Sequence, residues 1–265
     1  MSSPLILVTN DDGIQATGLR RLAARLAEVG EVHVVAPDRE RSGASHAISL
    51  DQPLRVTEVQ PRWHAVSGTP VDCVYLGVLH MVPRRPDLVI SGVNHGANLG
   101  SDVFYSGTVA AAIEGVIRGI PSCAISRDWD AAPDFGPAAD FAAALCRAIL
   151  DEGLPAHTLL NVNVPKVEPR GYAWTRLGRR TYREHVEERV DLRGRSYYWI
   201  GGPVEPGATD MPGTDCATVQ GGIISVTPLD LDLTSRDARH VLPRARIGGF
   251  ADLAQVAAGG GGGSP

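Results

Sequence analysis

A chain of 265 residues with 43% apolar and 21% charged side chains is long enough for one large domain with a full core, or one domain with an appendage. Its formal net charge, 25 basic against 30 acidic groups, is −5, which excludes a global basic field for holding a nucleic-acid polymer or an anionic membrane; a small anion would need a local device such as a metal ion or a helix end. Four scattered cysteines (Cys73, Cys123, Cys146 and Cys216) without a Cys-x-x-Cys pair read as apolar packing groups in a reduced cytoplasmic protein, and Met1–Thr9 reads as neither signal peptide nor membrane span.

The first predicted element is a buried strand over Leu5–Val8, and it runs directly into Asn10-Asp11-Asp12-Gly13. Two adjacent carboxylates at the end of a buried strand repel each other and lose water together. That is costly unless a cation or hydrogen bonds compensate. The same residues could serve as an ordinary turn or helix cap, so a metal reading needs further ligands from elsewhere in the chain. Leu19, Leu22, Ala23, Leu26 and Val29 then recur at helical spacing, and Gly30 ends that helix. Val32–Ala36 is a second strand, and Pro37–Ser45 is a polar loop in which Arg39 and Arg41 are flanked by Asp38 and Glu40. Residues 47–66 read as β ribbon. Thr69-Pro70 is a helix start, with threonine as cap and proline at the first helical position, for a helix running to about Met81.

Leu88–Ser91 is another buried strand, followed by a long Gly/Asn/Ser loop over Gly92–Gly107. Thr108–Arg118 is an Ala-rich helix with Ser106 or Thr108 placed to cap it. Pro121–Ser126 and Leu159–Val164 read as strands around a helix over Ala138–Asp151. This alternation predicts an α/β fold: a Rossmann-like, mostly parallel sheet with helices on both faces. After Pro165 the texture changes, and Tyr172–Trp199 reads as a long β-hairpin or arm, either exchanged between subunits or added to the same sheet. Ile223–Val226 returns to the main body. The chain thus divides into an α/β metal- and phosphate-binding core over 1–165, an extension over 166–248 with the arm and the returning segment, and a flexible Gly/Ser-rich tail over 249–265.

In an open parallel sheet, ligands bind at the carboxyl ends of the strands, beside the point where strand order reverses. Three polar loops follow such ends here, and they bring Asp11, Asp12, Ser42 and Asn94 to one rim. All four are oxygen donors, a set that suits Mg²⁺, Mn²⁺ or Ca²⁺ better than a Cys/His zinc cage. Ser106-Gly107-Thr108 at a helix start, with Asn98 in the loop before it, is a candidate phosphate site, although simple capping accounts for most such sequences. His46 and His95 lie in the same loops and could contact a leaving group or a nucleoside, or could simply be solvated.

These stretches resemble the SurE family of survival-protein 5′(3′)-nucleotidases. The matching runs are Ile6–Gly13 (ILVTNDDG), Val34–Ser45 (VVAPDRERSGAS), Ser67–Gly77 (SGTPVDCVYLG), Pro86–Gly119 (PDLVISGVNHGANLGSDVFYSGTVAAAIEGVIRG) and Gly222–Thr234 (GIISVTPLDLDLT). The match is loose between about Glu168 and Thr209. The resemblance implies a metal-dependent phosphomonoesterase acting on nucleoside 5′- and possibly 3′-monophosphates. It also implies one divalent cation per subunit, held by Asp11, Asp12, Ser42 and Asn94, and dimers or tetramers with exchanged carboxy-terminal elements. Two rival readings compete. A phosphatase forming an aspartyl phosphate needs two aspartates one residue apart and a nearby lysine, whereas the aspartates here are adjacent and Lys166 is the only lysine. A non-catalytic nucleotide-binding module is compatible with the sheet alone.

Overall fold

The computed structural model describes residues 3–180, 185–201 and 211–234. The Gly/Ser tail over 249–265 and its expected disorder lie outside the described residues. Strand β1 (Leu5–Thr9) is buried along its whole length, which its uninterrupted apolar sequence requires. It pairs in parallel with β2 (Glu31–Pro37) on one side and with β5 (Leu88–His95) on the other. The remaining strands are β3 (Val56–Gln60), β4 (Trp63–Val66), β6 (Ser122–Arg127), β7 (Thr158–Val164), β8 (Tyr172–Trp174) and β11 (Ile224–Asp230). The sheet order is β3-β4-β2-β1-β5-β6-β7-β11-β8, and only the β3/β4 and β7/β11 pairs are antiparallel. The chain therefore leaves β1 toward one edge and later returns to its other side. A crevice opens at that reversal, outside the carboxyl ends of β1 and β5.

Helices α1 (Thr17–Leu26) and α4 (Gly136–Glu152) pack on each other and on one face, where Leu19, Leu22 and Leu26 meet Ile6 and Val8 of β1. Helices α2 (Pro70–Leu76) and α3 (Gly107–Ile117) cover the other face, where Leu7, Val35, Cys73 and Ala111 form a second core. The alternation of β1 between the two cores is the strand period of two expressed in packing. At Gly18, α1 approaches β5 so closely that a Cβ would lie 2.2 Å from the Val93 carbonyl oxygen. The start of α1 is thereby fixed against the end of β5, at the mouth of the crevice.

Most expected elements form, and their local signals explain them. Thr69 caps α2 by accepting from the Asp72 N–H, while Asp72 accepts from the Thr69 N–H, so both ends of a capping box are in place. The winding then widens into a π turn over Gly77–Met81. The ribbon expected over residues 47–66 narrows to β3 and β4. Upstream of it, the Ser49 N–H and hydroxyl donate to the Asp72 carboxylate instead of to a neighbouring strand.

The expected arm also divides. Tyr172–Trp174 joins the main sheet as β8, in parallel with β11, and only β9 (His185–Val190) and β10 (Ser196–Gly201) form a separate antiparallel hairpin. Helix α5 (Asp215–Gln220) is an element the sequence reading omits; its six residues are too few to show a periodic stripe.

Candidate active site

The Asn10 side chain closes the turn after β1 by donating from Nδ2 to the Gly13 carbonyl at 3.0 Å and accepting from the Gly13 N–H at 3.2 Å. This turn presents Asp11 and Asp12 at the crevice. Asp11 is 4% exposed; it accepts from the Thr108 N–H at 3.2 Å and from the Thr108 hydroxyl. Gly107 makes that approach possible, since a Cβ there would fall 2.9 Å from the Asp11 Cβ. Asp12 accepts from the His95 N–H at 3.3 Å. Burial raises the protonation midpoint of Asp11 despite these hydrogen bonds. Burial, followed by the neighbouring Asp11 charge, pushes Asp12 up to about 6. Among the described residues no Arg or Lys lines the cleft beside either carboxylate.

Six of the eight sequence-predicted site residues (Asp11, Asp12, Ser42, Asn94, Asn98 and Ser106) line one cleft of about 710 Å³. The Asn94 Nδ2 donates to the Gly96 carbonyl at 2.8 Å, and no donor reaches its Oδ1 among the described residues, so its oxygen is the free end of the amide. The Ser42 hydroxyl donates to Glu40 Oε1 at 2.8 Å and keeps its own lone pairs. Asn98 is fixed on all sides: its Nδ2 donates to Ser126 Oγ at 2.8 Å, its N–H to Asn163 Oδ1 at 2.7 Å, and its carbonyl accepts from Asn161 and Asn163. Ser106 caps α3 by accepting from the Val109 N–H. Gly107 and Thr108 lie beneath Asp11 instead of lining the cleft. The helix start expected to face a phosphate is thus turned toward an aspartate, which meets the same anion preference from within the chain.

This arrangement fits a hard divalent cation. Two adjacent carboxylates, one buried and one half-buried, are oriented by hydrogen-bond donors in a cleft that no Arg or Lys lines among the described residues, and a free amide oxygen and a hydroxyl oxygen line the same space. Among the described residues no three His, Cys, Asp or Glu side chains cluster as a metal centre. The site would therefore complete its shell with neutral oxygens and solvent, in the manner of Mg²⁺ or Mn²⁺. His46 turns away from the cleft, its ring 3.2 Å from Glu114 on α3. Arg41 donates to the Ser67 carbonyl at 2.7 Å and lies 3.8 Å from Asp38, a local pairing. Lys166 does not line the cleft, so the lysine that an aspartyl-phosphate mechanism calls for is missing there.

Several lining residues escape sequence reading. Glu40 lines the same cleft, and its charge adds to the rise at Asp12. Ala16, Thr17 and Gly18 bring the start of α1, which has no side-chain cap, to the rim. Tyr105 and Trp129 supply aromatic surface. Asp215, which follows Pro212-Gly213-Thr214, does more than cap or turn the chain. Fully buried, it accepts from the N–H groups of Gly100 at 2.8 Å, Gly178 at 2.7 Å and Cys216 at 2.8 Å. Arg180 donates to Asp102 and to the Ala97 carbonyl. Two residues beyond position 165 therefore pin the loop that carries Asn98. Local sequence gives no signal for either, because both partners lie about 80 residues or more upstream.

Comparison with known proteins follows the same lines. The family model described as "Survival protein SurE" matches residues 6–184, more than half of the chain. A relative named 5′-nucleotidase SurE from Anaeromyxobacter sp. (strain Fw109-5) is 55% identical over 235 residues, 88% of this chain and 92% of its own length. Another of that name from Myxococcus xanthus (strain DK1622) is 50% identical over 248 residues, 92% of this chain and 94% of its own. The crystal structure of the SurE protein from Aquifex aeolicus superposes with a TM-score of 0.80 at 40% identity, covering 90% of this chain and 98% of that one.

Proposed function

Because the chain belongs to the SurE family, we propose that it is a 5′-nucleotidase, a divalent-metal-dependent phosphomonoesterase that splits nucleoside 5′-monophosphates, and 3′-monophosphates as second substrates, into nucleoside and inorganic phosphate. The observation that carries this reading is the Asp11–Asp12 pair at the end of a strand, Asp11 buried and Asp12 half-buried, steered by N–H and O–H donors and facing a polar cleft that no Arg or Lys lines among the described residues. One Mg²⁺ or Mn²⁺ per subunit would be held by Asp11, Asp12, Ser42 and Asn94. When bound, such an ion supplies positive charge to phosphate oxygens and makes a nearby water more acidic.

The chain's own groups do the rest. Thr108 and the His95 N–H fix the two carboxylates, so their oxygens need no rearrangement during the reaction. Ser106, through its hydroxyl hydrogen, and Asn98, through its second amide hydrogen, orient phosphate oxygens for in-line attack. Asp11 or Asp12, held in place at the cleft, accepts a proton from the attacking water. Expected on this reading is release of inorganic phosphate from nucleoside 5′-monophosphates and none from a phosphodiester. A protein that binds nucleotides but releases no phosphate would instead be the regulatory module.

The hairpin supports a homo-oligomer. Among the described residues β9 and β10 pair only with each other, and Trp199, Ile200, Val186 and Val190 are at least 60% exposed. A two-stranded ribbon with such a surface is marginal in water unless it is covered. Replacing both Trp199 and Ile200 by aspartate is expected to shift the solution mass to that of one chain by light scattering; an unchanged mass would remove the arm from the interface. No helix among the described residues is long and apolar enough to cross a membrane. The four cysteines are free and buried, consistent with work in the reducing cytoplasm.

A further inference from the structure

Behind the carboxylates, the cleft has a wall that the hydrolytic reading does not use. The loop after β6 carries Trp129, Pro133 and Phe135 into it. Trp129 is 62% exposed, yet its ring is not loose: it lies parallel to the His95 ring, at 6° between planes and 6.1 Å between centroids. Phe135 meets the same imidazole edge-on at 6.0 Å. The imidazole is anchored at its far end, where Nε2 is 2.8 Å from the Asp130 carbonyl oxygen. His95 thus joins two parts of the site, because its backbone N–H holds Asp12 while its ring backs the tryptophan. One face of the indole is braced and the other is open, in a cleft otherwise lined mostly by polar groups.

An indole held flat with one free face is a stacking surface for a planar ring. It contributes area and polarisability and only one hydrogen-bond donor, so it favours any flat aromatic ring over none without reading the pattern of groups on its edge. We propose that Trp129, positioned by His95, is the platform on which the substrate's base stacks, so that the enzyme selects for the presence of a nucleobase and discriminates weakly among bases. This inference rests on the nucleotidase reading and adds to it a residue for substrate selection. His95 is the positioning residue, and Trp129 is the group that touches substrate.

The test compares Trp129→Ala and Trp129→Phe with the wild type on three substrates: adenosine 5′-monophosphate, uridine 5′-monophosphate and ribose 5-phosphate, which lacks a base. Trp129→Ala is expected to raise KM for both nucleotides on the order of tenfold, more for the larger purine, with kcat within about twofold. The change on ribose 5-phosphate is expected to stay under about twofold, and Trp129→Phe to recover most of the loss, since it keeps a stacking face. Equal losses on all three substrates, or no change in either nucleotide KM, would overturn the platform. Calorimetric binding of adenosine 5′-monophosphate separates this proposal from the one beneath it. Binding weakened by Trp129→Ala in a protein that releases no phosphate would sink the nucleotidase reading and keep the platform; binding indifferent to Trp129→Ala would sink the platform whatever the turnover.

Discussion

Asp12→Asn is expected to lower phosphate release from a nucleoside monophosphate on the order of a thousandfold or more, while leaving the fold intact. The asparagine has nearly the same shape and can still accept from the His95 N–H, but it carries no charge for a cation and takes no proton from water. The fold should in fact gain stability in chelator. A carboxylate whose midpoint rises on folding, here from 3.8 to about 6, opposes folding at neutral pH. That opposition, on the order of 3 kcal/mol in all, is lost as the pH falls from about 6 to the unfolded value of 3.8. A thermal melt in excess EDTA should therefore place Asp12→Asn at or above the wild type, by up to about 10 °C. Full activity of this variant in metal-replete buffer would remove Asp12 from the reaction. A variant melting well below the wild type would mean that the lost activity reports damage to the fold.

Exhaustive chelation is expected to abolish wild-type turnover, and added Mg²⁺ or Mn²⁺ to restore it. The same cations should raise the wild-type melting temperature in a concentration-dependent way. At a hundred times the dissociation constant the gain is about 2.7 kcal/mol, on the order of 5–10 °C for a chain of this size. The physical reason is the pair of like charges. Each of Asp11 and Asp12 is held by donors that favour ionisation, yet burial pushes both midpoints upward, so the empty pair is an unstable arrangement that a cation relieves. Asp12→Asn should show little of the cation-induced rise. Undiminished phosphate release after the metal has been stripped would dismiss the cation, and with it the role assigned to Ser42 and Asn94.

What could be read from the sequence was local. The buried run of β1, the threonine cap of α2 and the serine cap of α3 are each specified within a few neighbouring residues, and each forms as expected. The convergence of Asp11, Asp12, Ser42 and Asn94 was legible for a different reason: parallel topology sends the ends of β1, β2 and β5 to one rim. Partners far apart in the chain were not legible. Thr108 looked like a phosphate ligand because its partner Asp11, 97 residues upstream, is invisible to a local reading. Tyr172–Trp174 looked like part of the arm, because three aromatic-rich residues give the same pattern whether their neighbour is β11 or another ribbon. Trp129 sits in an aspartate-rich loop without periodicity, and only the His95 ring behind it sets it apart from a solvated side chain.

Asp215 joins Gly100 to Gly178 by accepting from both, and so sets a boundary condition on engineering and descent alike. The front half of this protein cannot be lifted out as a free-standing catalyst, nor can its rear half be exchanged for a distant cousin's as though the two were modules. A hybrid spliced between Gly100 and Gly178 takes the loop at Gly100 from one parent and the carboxylate that fastens it from the other.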